Sequence, residues 1–549
     1  MPTIQDFLRA RAGDPRTALR FEDRTWSYAE YLDACAQRAA YLLENRGADP
    51  FHVGVLLDNV PEFAMWLGAG ALAGATVVGI NPTRRGAELA RDVTHTQCRF
   101  LVTNSPYRAI LEDLELGIEG SRILDTDSAA YAEALRPHRG APIPEVEVTE
   151  STLFLLIFTS GTGGAPKACL CSQGRLATIA PILVQMQQLS DRDVCYLAMP
   201  MFHSNALMAG WAPALWAGAT CVLRRKFSAS GFLPDVRRYR VTYFNYVGKP
   251  LAYILATPER SDDRENTLAR AFGNEATDRD VERFQKRFGC VVTDAFGSTE
   301  GVIHVTRTPD MPPGALGRAT EGVLVLDPET GAECAPARFD ERRRLLNPEE
   351  AIGELARKLG GGSFEGYWRN EEASSAHLRD GVYWSGDLAY RDEEGFFYFA
   401  GRNSDWLRVD GENFAAAPVE RILSRFPGVA LAAVYPVPDP IVGDQVMAAL
   451  QLVADVSFDA ERFASFLEDQ TDLGTKWAPR FVRICDALPV TRTHKILKRV
   501  LRNERWECDD PVWWRPEKSD SLRRLTPSDV AEIAAAFAAR GRSSALERI

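Results

Sequence analysis

From Tyr28 to Val292 the chain alternates amphipathic stretches with short charge-free runs. The runs are Val53–Leu57, Phe100–Thr103, Leu153–Phe158, Val194–Met199, Thr220–Leu223, Thr242–Tyr246 and Cys290–Val292. Helical periodicity fills several of the intervals, as in Tyr28–Glu44 and Asp280–Phe288. Strand-length runs without polar alternation are buried on both faces, which a parallel sheet covered by helices achieves. The alternation therefore predicts an α/β fold of layered, largely parallel sheets. Ligands in such sheets sit beyond the carboxyl ends of the strands, so chemistry is expected in the loops that follow the runs.

Beyond Asp380 the texture changes. Val382–Ser385, Phe396–Ala400 and Trp406–Val409 are closely spaced short strands separated by Gly, Asp and Asn turns, a hairpin signature. Helix Pro418–Phe426, strand Ala430–Pro436, helix Asp459–Asp469 and strand Phe481–Ile484 follow. The division predicts a large N-terminal unit over 1–401, a hinge beginning at 402–403, and a smaller, mobile α+β unit over 404–549. The tail carries one more helix, with Thr526 as cap, Pro527 at the first position and Gly541 as stop. Its apolar face is Val530, Ile533 and Phe537, suited to docking on the body. A chain of 549 residues exceeds what one core supports, in keeping with this partition.

The net charge of −11 is opposite to that of a protein gripping nucleic-acid phosphates. Ten cysteines are scattered, and the closest pair, Cys169 and Cys171, lacks the spacing of a zinc or redox motif. The thiols read as free, in a reducing cytoplasm. The first residues are polar and then basic, unlike a secretory signal. Phe63–Ile80 is uncharged but holds Gly68, Gly70, Gly74 and Gly79, so it reads as a tightly packed helix and then a buried strand, Thr76–Ile80. Val194–Leu223 is interrupted by Pro200, His203 and Pro213, and neither stretch reads as a membrane span.

The loop after Leu153–Phe158 is Thr159-Ser160-Gly161-Thr162-Gly163-Gly164-Ala-Pro-Lys167. Glycines let backbone N–H groups close on an anion, while hydroxyls and an ammonium add donors. The loop suits nucleotide phosphates without being a Walker A motif, since no Gly-Lys-Ser/Thr ends it. Four further segments supply partners. Phe296-Gly297-Ser-Thr299-Glu300 follows another strand; Tyr383-Trp-Ser-Gly-Asp387 offers a carboxylate suited to ribose hydroxyls. Arg402 to Gly411 spans the proposed boundary, and Pro489-Val-Thr-Arg-Thr-His-Lys495 brings one lysine near the end of the small unit. Singly, each has an ordinary alternative: Lys495, for example, would be one charge on a solvated helix Lys495–Arg502.

In this order and spacing the segments resemble the adenylate-forming superfamily of acyl-CoA synthetases, luciferases and peptide-synthetase adenylation domains. The resemblance runs from about residue 15 to 505. It is strongest to the branch of fatty-acid transport proteins, very-long-chain acyl-CoA synthetases and FadD-like fatty-acid–CoA ligases. The branch is carried by Pro200-Met-Phe-His203-Ser-Asn205, Tyr243-Phe-Asn-Tyr-Val-Gly248, Gly273-Asn274-Glu275-Ala276 with Val281–Gly289, and Asp410-Gly-Glu-Asn413. The resemblance implies an ATP-dependent, AMP-forming ligase. A carboxylic acid attacks ATP to give an acyl-adenylate and pyrophosphate, and the thiol of coenzyme A then displaces AMP. It also implies roles. Thr159 to Lys167 hold phosphates, and Thr159 with Glu300 holds Mg²⁺. Phe296 and the 273–276 turn take adenine, with Asp294 near its amine; Asp387 takes ribose and Arg402 ribose or phosphate. Lys495 contacts the acid and the α-phosphate, His203 gates the acyl pocket, and Gly411 lines the pantetheine channel after rotation about Asn403–Ser404.

The chain departs from the family pattern in four places. Gly163 stands where a second threonine is usual, Phe296 for tyrosine, Ser404 for Asp or Lys, and His494 for glycine. Residues 203–218 and Tyr243–Tyr246 imply an apolar acyl pocket, for a medium- to long-chain, branched or sterol-derived acid. Two other readings stay open: an acyl-AMP ligase loading a carrier protein, and a lipid-uptake protein acting by acylation at a membrane. Peripheral membrane contact and a homodimer are likewise open.

Overall fold

Strands that read as doubly buried runs do assemble into two mainly parallel sheets. The computed structural model describes residues 2–159, 167–308, 310–341, 343, 345–358, 364–402, 406–409, 412–441, 444–470, 473–474, 476–491, 495–516 and 521–546. A six-stranded sheet runs in the order Ile123–Asp125, Phe100–Thr103, His52–Val55, Thr76–Gly79, Leu153–Thr159, Lys167–Ser172, antiparallel only at the last pair. A nine-stranded sheet is parallel through Val291–Gly297, Arg270–Asn274, Tyr243–Val247, Val194–Leu197, Thr220–Leu223 and Thr17–Phe21. Antiparallel strands close both of its edges. A third, antiparallel sheet pairs Val323–Leu326 with Gly353–Lys358 and that with Val382–Arg391, on which Phe397–Arg402 lies.

The stretch tested as a membrane span is helix Pro61–Ala73 followed by strand Thr76–Gly79, both buried. Gly68 lies against Tyr28–Glu44 so closely that a Cβ would run into Cys35 Sγ and the Tyr31 hydroxyl. No described helix is long and apolar enough to cross a membrane. All ten cysteines are free and eight are buried.

Toward the C-terminus, Val429–Pro438, Asp444–Leu452, Phe481–Cys485, Val512–Trp514 and Arg523–Arg524 form a mixed sheet beside the hairpin of Trp406–Val409 and Glu412–Ala415. Helix Pro527–Ala538 starts at a capping box in which Thr526 and Asp529 bond reciprocally, as the sequence predicts. It buries Ile533 and Phe537 against Tyr435, Phe481, Leu501 and Trp514. Each of the two contributes about 1.5–3 kcal/mol by leaving water.

Four elements depart from the sequence reading. The run Cys290–Val292 is the start of a longer strand, Val291–Gly297. It pairs in parallel through Asp294 and then changes partner, bonding antiparallel to His304–Thr306. Lys167–Ser172 is a strand, antiparallel to Leu153–Thr159, with Thr159 opposite Lys167. Asp444–Leu452 was not anticipated, although it lies centrally in its sheet. Lys495 precedes helix Lys498–Glu504 and is not part of it. Its backbone is tied to Thr491, whose N–H bonds to Lys495 O at 2.8 Å and whose hydroxyl accepts from Lys495 N at 3.1 Å.

Candidate active site

Strand pairing brings Lys167 and Glu300 to one place through a residue the sequence did not single out. Segment 366–368 lies alongside Lys167–Ser172, with Trp368 N bonded to Ala168 O and Leu170 N to Gly366 O. This sets Tyr367 between the two charges. Its hydroxyl donates to Glu300 Oε1 at 2.7 Å, and the Lys167 ammonium stands 5.1 Å over its ring. His377 Nε2 lies 3.4 Å from Lys167 Nζ. His377 Nδ1 is 2.6 Å from the Trp384 carbonyl, which only accepts, so Nδ1 carries the proton and Nε2 presents its lone pair to the ammonium. Glu300 is buried. The preceding Thr299 accepts from the Arg175 guanidinium on its carbonyl and meets Ser204 Oγ through its hydroxyl at 3.0 Å. Cys169 lies against the same guanidinium, and burial pushes its thiol up to about 12.

A second cluster shapes the 273–276 turn. Asp294 Oδ2 accepts from the Tyr246 hydroxyl at 2.7 Å and from Ala276 N at 3.0 Å, while Oδ1 is 3.7 Å from Arg307. Burial raises the Asp294 carboxyl to about 6 despite the Arg307 charge. Gly273 packs under Tyr246, where a Cβ would strike its carbonyl and ring. Asn274 donates to Ala295 O. Phe296 lies 5.8 Å from Phe399, and Asp387 is buried, opposite Arg402 in the strand register. Gly297 ends its strand next to His304.

His203 caps the turn Ser204–Ala206, its Nδ1 accepting from Asn205 N at 3.4 Å. Its pKa is pushed down to about 4, first by burial and then by the nearby positive charge of Lys495, with Glu275 acting the other way. Lys495 Nζ itself lies 2.5 Å from Glu275 Oε1. The lysine of the C-terminal part thus reaches the turn and the histidine of the N-terminal part. Two further bonds join the parts: Arg279 donates to Ser424 O, and Arg421 donates to Gly314 O at 3.0 Å.

The structure therefore brings together Lys167, Glu300 and Thr299 in one cluster, with Thr159 opposite Lys167 in the strand register, and Gly273, Asn274, Glu275, Ala276, Asp294, His203 and Lys495 in another. Ser160, Gly161, Thr162, Gly163, Gly164, Asn403, Ser404, Gly411 and His494 lie outside the described residues. Tyr367, His377 and Arg307 are the partners that sequence reasoning missed. No group of three or more His, Cys, Asp or Glu residues arranged to hold a metal occurs among the described residues. Buried Glu300, with one carboxylate oxygen accepting from Tyr367, still offers an oxygen of the kind Mg²⁺ takes, since Mg²⁺ uses one or two protein oxygens and completes its shell with phosphate oxygens and water.

Comparison with known proteins agrees with this geometry. Residues 8–368 match the AMP-binding enzyme family and residues 418–495 the AMP-binding enzyme C-terminal domain. The chain is 51% identical over 543 residues to the steroid-22-oyl-CoA synthetase of Rhodococcus jostii (strain RHA1), covering 98% of each chain. It is 48% identical over 513 residues to the medium/long-chain-fatty-acid–CoA ligase FadD17 of Mycobacterium marinum, covering 93% of this chain and 98% of that one. ATP-bound MatB from Rhodopseudomonas palustris superposes with a TM-score of 0.77 at 25% identity, over 91% of this chain and 98% of the other. On these matches the chain belongs to the AMP-binding enzyme family as an AMP-forming acyl-CoA ligase.

Proposed function

We propose that the acid this ligase activates carries an extended apolar body, a medium- to long-chain fatty acid or a steroid side-chain acid. The printed activities of the two relatives support that range. So does the buried apolar stretch Leu207–Trp211, a π-helical turn beside strand Tyr243–Val247. Turns of this kind recur at functional sites because the inserted residue re-aims its neighbours.

The observation that carries the mechanism is Lys495 at the turn beside His203. Attack of a carboxylate on a phosphate joins two anions, so charge must be neutralised and the groups held in line. In our reading Lys495 lies between the acid and the α-phosphate and stabilises charge developing in the transition state. Lys167, with its ammonium steered by His377 and Tyr367, holds the outer phosphates with residues 160–164. Phe296 and the 273–276 turn stack on adenine, and Asp387 with Arg402 takes the ribose. Mg²⁺, held by Glu300 and Thr159, would supply charge neutralisation to the phosphates. His203, neutral at physiological pH, admits the carboxylate without competing for it as a cation. The units 1–401 and 404–549 then rotate about 402–403 so that Gly411 lines the route of coenzyme A.

A panel of straight-chain, branched and steroid side-chain acids, scored by pyrophosphate release, tests the substrate. Turnover highest on short or aromatic acids would overturn the proposal. Acyl-CoA formed with free coenzyme A excludes a carrier-dependent ligase.

A further inference from the structure

The ion pair that receives Lys495 is built with more constraint than a surface contact needs. Glu275 has a backbone φ of +72°, a left-handed conformation that residues other than glycine rarely adopt. The strain is held from both sides. Asn274 continues the strand Arg270–Asn274 and anchors on Ala295, while Ala276 N is bonded to the buried Asp294. Lys249 Nζ lies 3.5 Å from the Glu275 carbonyl. Strained backbone persists where surrounding structure over-determines it, and it concentrates at working sites. Here the result is a carboxylate aimed at the C-terminal part. Lys495 is held in turn by two hydrogen bonds between its backbone and Thr491. The two side chains are only 34% and 42% exposed, and they meet at 2.5 Å.

We propose that Glu275 is a positioning residue for Lys495: its carboxylate takes one of the three ammonium hydrogens and aims the other two at the acid and the α-phosphate. The inference rests on the adenylating role given to Lys495 and deepens it. An ammonium on four rotatable carbons is otherwise free to swing, and a misplacement of about 1 Å costs on the order of 100-fold in rate.

Single-turnover adenylate formation at saturating ATP and acid provides the test. Glu275→Gln, which keeps shape and removes charge, is expected to slow adenylate formation about 10-fold. Thioester formation from supplied acyl-adenylate should fall by a clearly smaller factor. Glu275→Gly relieves the backbone strain, so it should slow adenylation at least as much while the melting temperature holds or rises. In a Lys495→Ala background the Glu275→Gln effect should vanish, because there is no ammonium left to aim. The same fold loss in both backgrounds would overturn the inference and leave Lys495 in its role. A Lys495→Ala enzyme that adenylates normally would overturn that role, and the inference with it.

Discussion

Tyr367 joins Lys167 to Glu300. Its hydroxyl gives Glu300 a donor and its ring gives Lys167 a face. A hydrogen bond to a charged group is worth about 1.5–3 kcal/mol. Tyr367→Phe is therefore expected to raise the KM for ATP about tenfold with kcat less affected. Tyr367→Leu should raise it further, since a cation–π contact of about 0.5–1 kcal/mol goes as well. Initial-rate kinetics at varied ATP check both. His203 makes a different prediction. The folded imidazole stays neutral down to about pH 4, whereas an unperturbed one takes its proton near 6.5. The unfolded chain binds more protons in that window, so stability falls as pH drops through it. His203→Gln should flatten the fall in melting temperature between pH 6.5 and 4.

At the level of elements, the parallel strands were legible because burial on both faces leaves an unbroken apolar run. The strand Val291–Gly297 was only half legible. Thr293 and Asp294 interrupt the run, and the interruption is the change of partner that exposes Phe296 and Gly297 at the site. Lys167–Ser172 was hidden because it reads as loop until its antiparallel partner is known. Glu300, Lys167 and Lys495 could be found from motif and spacing. Tyr367 and His377 could not, since their role depends on a segment laid beside a strand some two hundred residues earlier, as the 210-residue separation of Lys167 and His377 shows. The tail helix was legible through its cap. Thr526→Ala removes the donor and acceptor of the capping box and should cost about 1 kcal/mol, read as a lowered denaturation midpoint.

Over the whole molecule, the described residues join the N-terminal and C-terminal parts by both polar and apolar contacts. Arg421 reaches Gly314 and Arg279 reaches Ser424, with Ala252 entering the C-terminal cluster. Inter-domain contacts of this mixed kind are compatible with the rotation proposed above. Arg421→Ala should slow adenylate formation several-fold and spare thioester formation from supplied acyl-adenylate. Equal loss in both half-reactions, measured by rapid quench, would place Arg421 in general stability instead.

An enzyme that makes an acyl-adenylate creates an electrophile that any thiolate of its own could steal. This chain carries ten free cysteines, and Cys169 lies directly behind Thr299 and Glu300. Burial raises that thiol to about 12, and Cys35, Cys98, Cys171, Cys221, Cys290, Cys334 and Cys485 to about 11 or 12 as well. Thiols held protonated are poor nucleophiles. Packing that serves the core thus also keeps these thiols in their poorly nucleophilic form, which favours a thiol that arrives from solution as acceptor of the activated acyl group.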